Sequence, residues 1–281
     1  MLRNWLGQGC RMDRRSFLSR AGLVTAGALP GAGVGFVIEP VLDTEGPTAR
    51  TAVPSGLTDA RVVTVRFREQ PVNRLVALTI DDGPTAEWTP RVLDILARRG
   101  VPATFFLVGQ RAQSRPDLAR RAADAGHELG NHTWAHTDLT HLDEASVRGA
   151  LEPAHELITR LTGRGPTLCR PPYGRIDSVG LAVCAGLGYG VALWSDHVTG
   201  SNAQANVDTV LRQATPGSIV LAHDGGPEPN ASLMTQLDRL VGAMADAGYA
   251  FVTVSQLLAA PARQPAVSPG GDGRTASAAV S

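Results

Sequence analysis

From about residue 61 onward, apolar and polar positions alternate between two patterns. Short runs with little polar interruption, "RLVALTI" (74–80), "PATFFLVG" (102–109), "YGVALWS" (189–195) and "SIVLAHD" (218–224), have the composition of strands covered on both faces. Between them lie longer segments with apolar residues three and four apart, the stripe of an amphipathic helix. These predict helices over 89–100, 116–126, 143–161, 177–188, 206–217 and 232–248. Pro90 is tolerated in a first turn, with Val92, Ile95 and Leu96 forming the stripe and Gly100 ending it. In the 143–161 helix, Leu151, Ala154, His155, Ile158 and Leu161 fall along one side. Shorter strands are expected at 61–67, 127–134, 167–174 and, with a final helical turn, 250–258. Repeated strand–helix units imply an α/β fold with a mostly parallel sheet or barrel.

The flanks read differently. Residues 39–60 are rich in Pro, Thr, Ala and Gly and read as a linker; 261–281 carry no apolar stripe and read as a disordered tail. One catalytic-size domain, 61–260, is left between them. Residues 1–38 place Arg14-Arg15 ahead of a weakly apolar, Ala- and Gly-rich stretch, and "RRSFL" resembles a bacterial twin-arginine export signal. That resemblance implies the export machinery as a partner, folding before export, and a secreted or envelope-associated protein. Met1 and Met12 are both candidate starts.

Charge narrows the function. Lys and Arg balance Asp and Glu at a net charge of zero, so no global basic field argues for nucleic acid. No stable protein partner is implied. Cys169 and Cys184 are either a disulfide or two separate core residues, and no CxxC spacing marks them as metal ligands.

Strong polar residues gather just after the apolar runs: Asp81 and Asp82, His132 and His136, Arg170, Asp196, and His223 with Asp224. In α/β folds this edge of the sheet is where sites are built. In "GNHTWAH" the histidines are four apart, so a single helical turn would aim both rings one way. Two imidazoles and a carboxylate make a three-ligand set for a divalent ion with positions left open. Adjacent carboxylates repel and, along an extended chain, point apart, so Asp81 and Asp82 are expected to do different work. His223 is either a satisfied core residue or a proton donor. Arg170, held by Pro171-Pro172, can pair with a carboxylate.

"TIDDGP", "NHTWAHTDLT", "RPPYG" and "IVLAHD", in this order across about 74–259, resemble the motifs of the NodB-like polysaccharide deacetylases. The resemblance implies a distorted (β/α) barrel with fewer than eight regular units. It implies a divalent metal, usually zinc with cobalt able to serve, on Asp82, His132 and His136. It makes Asp81 the general base, Arg170 its orienting partner, the Tyr173 backbone N–H an oxyanion donor, Leu221 a lining of the acetyl pocket and His223 the general acid. A glycan is the implied substrate, peptidoglycan or a chitin-type oligosaccharide, with an O-acetyl ester such as acetylated xylan, or a catalytically weakened glycan-binding role, as alternatives. One motif departs: the family's Asp-Trp is missing after Trp194, where the chain reads "LWSDHVTGSNA". Asp196, or else Asn202, is then expected to orient His223.

Overall fold

The computed structural model describes residues 63–262, so the segments expected to be an export signal (1–38) and a linker (39–60), and all but the first two residues of the expected tail, lie outside it. In chain order the strands are β1 (Val65–Arg66), β2 (Leu75–Asp81), β3 (Thr104–Leu107), β4 (Glu128–Asn131), β5 (Leu168–Cys169), β6 (Gly190–Ala192), β7 (Asp196–His197), β8 (Ile219–His223) and β9 (Ala250–Val252). The helices are α1 (Trp88–Arg99), α2 (Gly109–Ser114), α3 (Pro116–Asp124), α4 (Glu144–Thr162), α5 (Ser178–Leu187), α6 (Ala203–Gln213), α7 (Ala231–Asp246) and α8 (Val254–Ala259). A 3₁₀ turn, Pro172–Gly174, follows β5.

The strands pair in parallel in the order β1-β6-β5-β4-β3-β2-β8-β7, and β9 joins the first half of β2. β1 and β7 are the ends of this order and do not pair with each other. The result is a curled, open half-barrel, consistent with the distorted (β/α) barrel of fewer than eight regular units that the family resemblance implies. Expected strands are shortened at 61–67 and 167–174, while α2 and β7 were not foreseen. Pro261 and Ala262, placed in the tail by composition, still bond to the fold through Val72 and Pro71.

Side-chain alternation along the strands divides the core. Val76, Leu78 and Ile80 of β2, with Val220 and Ala222 of β8, pack beneath the helices in the main cluster. Ala77 and Ile219 belong to a second cluster with Phe106, Leu168 and Ala192. The polar residues follow the same alternation, so Thr79 and Asp81 of β2 share the face of Ala77, and His223 shares that of Ile219. The helices that cover the sheet are locally specified. In α1, Val92, Leu93, Ile95 and Leu96 are buried, each contributing about 1.5–3 kcal/mol, and Gly100 closes the helix at φ 64° with its N–H on the Ala97 and Leu96 carbonyls. Asp143 caps α4 through Ser146 N–H, and Asn230 caps α7 through Leu233 N–H.

Candidate metal centre and active site

Register builds the site. Asp81, the last residue of β2, lies directly opposite His223, the last of β8, with Phe106 of β3 on its other side. β4 ends at Asn131, so His132 leaves the sheet beside Asp81, and Arg170 follows β5.

Asp82 does not continue the strand. It turns into left-handed backbone at φ 75°, and this brings its carboxylate round toward the same histidine as Asp81. Asp82 Oδ1 lies 3.4 Å from His132 Nε2 and 3.1 Å from His136 Nε2, while Asp81 Oδ2 is 3.8 Å from His132 Nε2. The two carboxylates therefore converge, against the expectation for an extended chain. The histidines are not on a helical turn either. They stand on a loop with left-handed backbone at Thr133 (φ 65°) and His136 (φ 57°), pinned by Thr133 N–H on Asn131 Oδ1 and Thr137 N–H on Thr133 Oγ1.

Ligand atoms of Asp82, His132 and His136 all lie within 4.8 Å of one another. His132 Nδ1 donates to the Arg170 carbonyl at 2.7 Å, which leaves Nε2 as a lone pair facing Asp82. Asp82 Oδ1 is buried and receives no hydrogen bond within the geometry such bonds require. Lone pairs converging on an orphaned carboxylate oxygen are the donor set of a divalent cation. The electrostatics agree. Burial alone would raise the Asp82 carboxyl, but His132 and His136, with the charge of His223, outweigh it and hold it well below the usual carboxylate range. Burial would likewise lower His132, yet Asp81 and Asp82 overcome it and raise its pKa. The site attracts positive charge, as a proton or as a metal.

Arg170 is fully buried and every part of its fork is engaged. Nη1 donates to Asp81 Oδ1 and Thr79 Oγ1, both at 2.7 Å, Nε to the Ala192 carbonyl and Nη2 to the Leu193 carbonyl, both at 2.9 Å. Its plane lies 4.2 Å from the Phe106 ring centroid. This is the Asp81 partner expected from "RPPYG".

His223 stands opposite Asp81, but without the side-chain partner expected for it. Its Nδ1 is buried without a partner, and burial lowers its pKa despite the opposing charges of Asp81, Asp82 and Glu228. Asp196 does not orient it. It stands opposite Val220, short of His223 along β8, and its carboxylate goes to Ser195 Oγ at 2.7 Å, with Arg68 at 3.9 Å. Asn202 is exposed at the start of α6 and makes no bond to His223 either. Tyr173 sits in left-handed backbone (φ 60°), half exposed, its ring edge-on to His136 at 4.8 Å. Leu221, opposite Thr79, is buried within the sheet. Cys169 and Cys184 are free, buried thiols, and hydrogen bonding to Cys184, with burial, pushes Cys169 well up.

Three features of the packing around Asp82 go beyond what the motifs display. Gly83 has no room for a side chain because the Asp224 carboxylate fills the space a Cβ would need. Asp224 is fully buried, takes Thr89 Oγ1 at 2.5 Å, donates its N–H to the Asp81 carbonyl and accepts Thr85 Oγ1 on its own. Gly225 and Gly226 pass so close that side chains there would strike Asp82, and Arg111 from α2 reaches through that gap to the Asp82 carbonyl.

Residues 68–192 match the polysaccharide deacetylase family model. A peptidoglycan-N-acetylglucosamine deacetylase of Bacillus cereus is 36% identical over 185 residues, 65% of this chain and 67% of that protein. The peptidoglycan-N-acetylglucosamine deacetylase PgdA of Listeria monocytogenes is 37% identical over 188 residues, and the chain spans only 39% of its length. A crystallised peptidoglycan N-acetylglucosamine deacetylase superposes with a TM-score of 0.65 at 32% identity, covering 71% of this chain and 95% of that one. The chain belongs to the polysaccharide deacetylase family, and its Asp-His-His cluster is that of a metal-dependent deacetylase.

Proposed function

We propose that the chain removes the acetyl group from N-acetylglucosamine units of a cell-wall glycan, with peptidoglycan as the first substrate to test. The observation that carries this reading is the joining of two carboxylates with separate partners: Asp82 faces the Nε2 atoms of two imidazoles, and Asp81 is held by Arg170 directly opposite His223. The peptidoglycan activity named for the relatives supports the choice of substrate.

Asp82, His132 and His136 would hold a divalent ion, zinc or cobalt, which would supply Lewis-acid chemistry toward the acetyl group and the attacking water. Asp81, kept free of the ligand role by Arg170, takes the proton of that water. The Tyr173 N–H supports the developing oxyanion. His223 gives a proton to the departing sugar nitrogen. Acetate release from peptidoglycan strands by the purified, chelator-stripped and zinc-restored protein tests the reading. Release that does not depend on metal, or none from any glycan, overturns it.

A second reading has its own support. His223 Nδ1 has no hydrogen-bond partner and burial lowers its pKa, so the protonated form that an acid needs is disfavoured. An alcohol leaves with less help than an amine, which favours O-acetyl esters such as acetylated xylan. The two readings part on His223→Ala. Amide cleavage should fall by about 10²–10³-fold if His223 is the acid, with ester cleavage much less affected.

The "RRSFL" segment supports export by the twin-arginine route to the cell surface. Arg14→Lys with Arg15→Lys should trap the protein in the cytoplasm on cell fractionation. Unchanged distribution argues against the route.

A further inference from the structure

Next to the metal cluster, linked to it by the bond from Arg111 to the Asp82 carbonyl, lies a cavity of about 310 Å³ that the deacetylation chemistry does not use. Pro84, Thr85 and Ala86 form one wall, and Gln110, Arg111, Ser114 and Arg115 of α2 and its C-terminus the other. No acidic residue lines it, and two arginines do.

Both cations have capacity to spare. Arg111 is half-buried and commits Nη1 to the Asp82 carbonyl, while Arg115 commits Nη1 to the Ser114 carbonyl. Neither forms an ion pair among the described residues, although surface arginines elsewhere do, as in Arg99–Asp238, Arg121–Asp94 and Arg239–Asp208. A guanidinium has five donors in a planar fork that fits a carboxylate, and partial burial of Arg111 strengthens such a contact. Gly225 allows the arrangement, since a side chain there would displace the Arg111 fork.

Position adds the meaning. Asp82 gives its carboxylate to the metal set and its carbonyl to Arg111, so cavity and cluster are neighbours through one residue. A glycan whose acetamide reaches the cluster would carry its neighbouring sugar toward Thr85 and Arg111. We propose that the Arg111–Arg115 cavity binds a carboxylate borne by the sugar next to the one deacetylated, so that the preferred substrate is an acidic glycan such as the lactyl-ether-bearing strand of peptidoglycan. A neutral chitin-type chain has nothing to place there. This rests on the deacetylase reading above.

The test compares three substrates: peptide-free peptidoglycan strands, the same strands with their carboxylates amidated, and a neutral N-acetylglucosamine tetramer. Wild-type protein should show a KM roughly tenfold lower for the acidic strands than for the amidated ones, with similar kcat. Arg115→Gln, an exposed position, should abolish that difference and leave the tetramer unchanged. Equal KM for acidic and amidated strands in the wild type overturns the proposal while the deacetylase reading stands. So does an Arg115→Gln effect equal on all three substrates. If none is hydrolysed, the deacetylase reading fails and calorimetry with the acidic strands decides the cavity alone. Binding that weakens in Arg115→Gln and with added salt supports the proposal, and Arg115-independent or absent binding overturns it.

Discussion

Arg170 joins more of the site than any other side chain. It holds Asp81, bonds two carbonyls of the β6 end and supports His132 through its own carbonyl. Lysine brings one point charge in place of a planar fork, so Arg170→Lys should leave Asp81 or the carbonyls unpaired in a dry core. We expect a loss of about 3 kcal/mol in urea unfolding and a fall in kcat larger than the change in KM. Asp224 behaves in the opposite way. Burial first, then the charges of Asp82 and Asp81, push its pKa from 3.8 up to about 7 against the pull of the Thr89 bond. The folded state thus keeps a proton that the unfolded chain releases. Its contribution is full below about pH 4 and is lost as pH rises toward about 7. In metal-stripped protein, the stability of Asp224→Asn relative to wild type should therefore rise across that window. A constant difference between them in urea midpoint would show that Asp224 does not titrate there.

At the scale of elements, strands and helices were legible where the apolar period was long. β2, β8, α1, α4 and α7 lie where "RLVALTI", "SIVLAHD" and the helical stripes place them. α2 was not legible, because "GQRAQS" has no stripe; it is held by backbone bonds from Gly109 and Gln110 to Thr133 and Trp134. β7 is two residues long and borrows its order from β8. The Asp82–His132–His136 set was legible from residue type, but its geometry was not, because it depends on left-handed backbone that no spacing rule encodes. The expected Asp196–His223 contact failed on register, which sequence does not display. Gly109 ties α2 to the histidine loop, and the Trp134 ring occupies the space a Cβ would need. Gly109→Ala should push Trp134 outward and disturb His132 and His136. The expected result is at least about tenfold weaker zinc binding by competition with a chromogenic chelator, with circular dichroism nearly unchanged.

For the whole molecule, the metal set draws on two separate stretches of chain, from the end of β2 and from the loop after β4. An ion bound there stabilises the folded state alone. At a free concentration a thousandfold above its dissociation constant, it adds about 4 kcal/mol. Chelation should lower Tm and zinc restore it, while His132→Ala with His136→Ala should abolish both shifts. A Tm unmoved by chelator in the wild type would mean that the cluster holds no ion tightly.

Asp81 and His223 face each other across a ladder of main-chain bonds, from Ala77–Ile219 to their own pair. In the deacetylase reading, the backbone positions from which the Asp81 and His223 side chains start are set by the spacing of adjacent strands, about 4.8 Å. Such a ruler does not stretch. Reagents and neighbours can be exchanged around it, but a base one methylene longer, as in Asp81→Glu, has no slack in the backbone to take up its length.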